Sequence, residues 1–161
     1  MAGTPSWRPE ALRLLAARGF TGAVFVPEPR DGAWTRDYDG QIEWEEAHLH
    51  MADVVLFWLP RELGSMPGLT TNDEWGAHKY SGKVVFGAPP GAAKVRYQQY
   101  YAGRLHIPGG DSLAATGFGA LLEKKLDARP RARPGWRGPT SMTGRRRRRS
   151  RSRRVSRTSW W

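Results

Sequence analysis

Two glutamates carry most of the chemistry legible in this sequence. Glu74 lies in Thr71-Asn72-Asp73-Glu74-Trp75-Gly76, where a loop gives way to a helical pattern. Threonine followed three residues later by glutamate is the capping box, in which both side chains satisfy free amides at a helix start. The same geometry serves catalysis. A helix start stabilises negative charge, so Glu74 is expected to stay ionised, as a carboxylate nucleophile must. Glu45 is the second. Ile42, Glu45, Leu49 and Ala52 are spaced three, four and three apart, which is one face of a helix. Ile42 and Leu49 are expected to point inward, leaving Glu45 on an otherwise apolar stripe. Desolvation there raises a carboxyl pKa and suits a general acid. A shifted helix register, or a salt bridge from Glu45 to Arg61 or Arg8, would explain the same position without chemistry. Glu43 and Glu46 lie off the stripe and are expected in solvent. One carboxylate held ionised and one held protonated are the pair that cleaves a glycosidic bond with retention.

Those side chains need a scaffold. Ser6 caps a first helix with Pro9 and Glu10 in its opening turn, and Gly19 ends it. Gly22–Pro27 is a short apolar run, as a buried strand should be. Residues 28–40 form a polar loop, and a second helix spans Gln41–Met51. Ala52–Pro60, "ADVVLFWLP", is the strongest strand signal in the chain. A loop through Pro60, Gly64, Pro67 and Gly68 leads to a third helix over about Asn72–Ser81. "KVVFG", 83–87, is a strand, "KVRYQQYYAG", 94–103, a helix, and "RLHI", 104–107, a weak strand. Asp111 caps a last helix through Leu126. This alternation predicts parallel βαβ units and a three-layer α/β domain. A helix opening at residue 7 would normally follow a strand, yet only Met1–Pro5 and Ser6 precede it. The sheet is therefore expected to begin one strand late or to lack its first strand.

The chain has 161 residues, the size of one domain, and a formal charge of +11. That charge belongs to the end of the sequence. Residues 129–161 hold 13 arginines and no acid, which leaves 13 basic and 15 acidic residues over 1–128, a net of −2. The expectation is a domain over 2–128 and a disordered Arg-rich tail over 129–161. Such a tail can bind nucleic acid nonspecifically through phosphates, or be an extension without a role. Cysteine is absent, so disulfides and thiolate metal sites are excluded. His48 and His50 are two apart on a helix and point to different sides, a poor metal site. "GAPPGAAK" lacks the spacing of a phosphate cradle. No apolar run approaches the roughly 20 residues of a membrane span, and no signal pattern opens the chain. A soluble cytoplasmic protein is expected.

Ordered blocks, "SWRPEAL", "VFVPEPR", "YDGQIEWEE", "ADVVLFWLPR", "TTNDEWG" and "SGKVVFGAPP", together resemble the nucleoside 2-deoxyribosyltransferase-like family over about residues 2–126. The resemblance implies a flavodoxin-like parallel sheet and a covalent glycosyl-enzyme on the glutamate of an E-x-G helix start, here Glu74. It puts the general acid on the preceding helix, several residues before Ala52-Asp53, where Glu45 stands. Aspartate is usual at that position. The family also places a base-contacting carboxylate on the loop before the nucleophile, and "GSMPGLTTN" has none. "AGTPSW" resembles the loop that follows the family's first, central strand. Activity would be N-glycosidic cleavage or transfer on a nucleoside or nucleotide-like substrate, without metal or cofactor, in subunits that complete one another's pockets. Asn72, Trp44, Trp7 and Arg61 are the candidate substrate-binding residues, the two tryptophans by stacking on a base. Aromatic residues are otherwise core formers, as expected of Trp58. Two other functions fit the residues: a non-catalytic nucleoside-binding module, and a nucleic-acid binder driven by the tail.

Overall fold

The computed structural model describes residues 5–29, 37–113 and 157–160. Five strands form one sheet: β1 (Ala23–Phe25), β2 (Val54–Trp58), β3 (Val84–Gly87), β4 (Gly109–Gly110) and β5 (Arg157–Trp160). Their order is β1-β5-β2-β3-β4 and every pairing is parallel. The helices are α1 (Arg8–Ala17), α2 (Tyr38–Met51), α3 (Leu69–His78) and α4 (Arg96–Arg104). No helix among the described residues is long and apolar enough to cross a membrane.

β2 shows why this is a parallel α/β sheet. All five residues are buried, and side chains alternate between the two faces. Val55 and Phe57 join a cluster with Leu49 of α2, Trp75 of α3 and Ala102 of α4. Val54, Leu56 and Trp58 join a second cluster with Ala11 and Leu15 of α1. The two faces of β2 thus pack against different helices, which is the environment that selects a continuous apolar strand. Trp58 is core, as its place in the strand implied.

Several expectations are corrected. The tail is not disordered throughout: β5 pairs Ala23–Phe25 on one side and Val54–Leu56 on the other. Residues from the far end of the sequence thus fill the sheet between β1 and β2. Composition missed it because two flanking strand edges offer backbone ladders to any extended segment, polar or not. Residues 129–156 and 161 lie outside the described residues. "RLHI" is no strand. Leu105 caps α4 and His106 turns with φ 53°. The last strand is Gly109–Gly110, where a Cβ at Gly109 would stand 1.6 Å from the Phe86 carbonyl oxygen, so the close pairing requires glycine. The helix expected over Asp111–Leu126 lies outside the described residues beyond Leu113. α2 starts earlier than Gln41, because Asp37 accepts a hydrogen bond from the Gly40 amide at 2.9 Å and caps it.

Two polar contacts fix the helices that carry the glutamates. Lys83, entering β3, donates to the carbonyls of Leu49 (2.8 Å), His50 (3.0 Å) and Ala52 (3.2 Å). A cation there satisfies the free carbonyls at the end of α2 and complements its dipole. Arg61, just past β2, donates to Asn72 of α3 at 2.6 Å and to the Lys94 carbonyl at 3.1 Å. Gln98 of α4 donates to the same Asn72 oxygen at 2.8 Å. Trp75 seals α3 against the sheet, 1% exposed and edge-on to Phe57 at 5.6 Å.

Candidate active site

The amphipathic pattern of α2 and the aromatic anchor of α3 leave a cleft between these helices of about 860 Å³. Glu45 and Glu74 both line it, with Arg8, Gln41, Ile42 and Asp73. Glu45 is close enough to Glu74 to raise its pKa by charge and by hydrogen bonding. Glu45 also accepts from Gln41 Nε2, one turn earlier, at 2.6 Å. The two glutamates that spacing singled out therefore meet in one cavity. Their stripe faces the cleft rather than packed core: Leu49 is buried, but Ile42 is 46% exposed.

The expected charge state of Glu74 is corrected. Thr71 and Glu74 form no capping box. α3 begins at Leu69, and its cap is Gly68 with φ 60° and no side-chain bond. A glycine in the left-handed region lets the chain turn into the helix ahead of the threonine. Glu74 consequently sits in the second turn, beyond the reach of the dipole, which falls off within the first. Burial, then the charge of Glu45 and the hydrogen bond with it, raise the Glu74 pKa to about 8, against a lowering by Arg8. A carboxyl with that pKa holds its proton at neutral pH, the reverse of the ionised nucleophile expected.

The four candidate binding residues stand apart from the described cleft lining. Arg61 and Asn72 are joined in the contact that holds α3 to α4. Asn72 spends its oxygen on two donors and cannot greet a base with it. Trp44 stacks on His48 at 3.9 Å, the flat surface that suggested a base being used within α2. Trp7 packs on the cluster beneath α1. Helical periodicity cannot distinguish these roles, because each depends on the neighbour across the helix face.

Sequence reasoning weighed Arg8 only as a salt-bridge partner of Glu45. It pairs instead with Glu28, whose carboxylate also accepts from Ser6 Oγ at 2.7 Å. Asp73 also lines the cleft, a carboxylate beside Glu74 where the preceding loop has none. His50 and His78 meet edge-on at 5.5 Å across the cleft. Burial first, then Lys83 and His50, lower the His78 pKa. Among the described residues no cluster of three or more potential ligands could hold a metal ion.

Compared with protein-family models, curated proteins and solved structures, the chain matches none.

Proposed function

We propose that this chain cleaves or transfers N-glycosidic bonds of nucleoside or nucleotide-like substrates through a covalent glycosyl-Glu74 intermediate. The observation that carries the reading is the meeting of Glu45 and Glu74 in one cleft. The strand order with helices on both faces supports a three-layer, flavodoxin-like domain, in keeping with the resemblance of the sequence blocks.

The chemistry follows from the shared proton. Retaining carboxyl pairs stand roughly 5–5.5 Å apart, wider than a direct hydrogen bond, so a sugar entering the cleft parts Glu45 from Glu74. As it does, the Glu74 proton passes along that hydrogen bond to Glu45. The freed Glu74 oxygen attacks the anomeric carbon and the carbon–nitrogen bond breaks. Glu45 returns the proton to the departing base. A second base, or water, then attacks the ester and restores the pair.

A non-catalytic nucleoside-binding module is the second reading, favoured by the raised pKa of Glu74. Incubation with a deoxynucleoside and a different free base separates the two. Exchange of the base, absent in Glu74→Ala, supports the enzyme; binding without exchange supports the module.

A further inference from the structure

Arg8 is built into the cleft in a way that the two-glutamate chemistry leaves unused. Arg8 lines the cavity that holds Glu45 and Glu74. Glu28 takes one edge through Nη1, and Ser6 steadies Glu28 through both carboxylate oxygens, at 3.0 and 2.7 Å. The Ser6 oxygen also accepts from the Arg8 amide at 3.2 Å, so one serine fixes both ends of the pair. The Trp7 ring lies 5.0 Å from the guanidinium carbon. This holds the side chain in place but leaves Nε–H buried without an acceptor. A buried donor without a partner costs roughly 1–3 kcal/mol, and this one belongs to a residue that lines the cavity a ligand would enter.

We propose that Arg8 is a third working group of this cleft: its free Nε–H donates to an oxygen of the bound sugar, its charge is the counter-ion of the Glu45–Glu74 pair, and Glu28 and Ser6 are its positioning residues. The proposal rests on the glycosidic reading for the identity of the ligand, but not for the charge. The charged and titratable groups around the pair are Arg8 from α1, Tyr38, Glu45, Glu46 and His50 from α2, and Asp73 and His78 from α3. Arg8 is the one of these that opposes the raised pKa of Glu74. A positive charge favours the ionised form of a neighbouring carboxyl, which is the form that attacks.

Two substitutions separate hydrogen bond from charge. Arg8→Lys keeps the charge and removes the Nε–H. Arg8→Met removes both. In the full-length protein, calorimetry with a deoxynucleoside is expected to show about tenfold weaker binding for both variants. Titration of Glu74, followed by carboxyl NMR without ligand, is expected to move upward from about 8 in Arg8→Met and to stay near the parent value in Arg8→Lys. Glu28→Gln, which cannot hold the guanidinium with a charge, is expected to weaken binding by a smaller factor. Unchanged affinity in both Arg8 variants overturns the hydrogen bond, and an unmoved titration in Arg8→Met overturns the counter-ion. If the parent protein binds no nucleoside, the glycosidic reading and the hydrogen bond fail together, while the titration still decides the charge.

Discussion

Glu74 of α3 and Glu45 of α2 line one cleft between their helices, near enough for Glu45 to raise the Glu74 pKa. Each is held from behind, α2 by Lys83 at its last carbonyls and α3 by the Arg61–Asn72–Gln98 contact. The pair is thus set by tertiary contacts and not by a helix cap.

Removing either carboxyl has a different result. Glu74→Gln is expected to abolish the glycosyl-enzyme. Glu45→Gln, which cannot carry the proton, is expected to lower kcat by roughly 10²–10⁴ with an ordinary nucleoside. The loss should shrink with a substrate whose base leaves without protonation. Steady-state rates on the two substrate types check it.

The pH profile follows from the shared proton. Below about 8 Glu74 keeps the proton that Glu45 must deliver to the base. As pH rises through that value the proton leaves the pair and the acid is lost. The rate with an ordinary nucleoside is therefore expected to fall through pH 8, as an initial-rate profile would show.

Stability moves in the same window. Between the ordinary carboxyl value of 4.5 and about 8, folded Glu74 holds a proton that the unfolded chain has released. The folded state binds more protons there, so stability falls as pH rises, and levels off above 8. Glu74→Gln removes this dependence. Urea unfolding at pH 9 is expected to show the variant about 1–3 kcal/mol more stable than the parent, allowing for partial solvent screening, with the gap closing toward pH 4.5.

Asn72 is expected to matter for stability more than for chemistry. Asn72→Leu leaves Arg61 and Gln98 without their common acceptor, and both are buried. The expected cost is about 1–3 kcal/mol, read as a lower urea midpoint, with KM for the nucleoside little changed.

Much of the scaffold was legible because β2 and β3 are buried on both faces and read as unbroken apolar runs. The place of Glu45 on the cleft-lining face of α2 was legible because 3.6-residue spacing fixes which face a side chain takes. The charge state of Glu74 was not, since Gly68 replaces a polar cap and shifts the helix start. Asn72, Arg61 and Trp44 were misplaced because their partners, Gln98, Lys94 and His48, are identified by packing rather than spacing. β5 was illegible, since its place depends on the edges of β1 and β2.

Intact-mass spectrometry after brief incubation with a deoxynucleoside tests the central claim most directly. A mass gain of one deoxyribosyl group, mapped to Glu74 and lost in Glu74→Gln, is the result expected. An unmodified protein that nonetheless releases free base, or an adduct mapped to another residue, would contradict it.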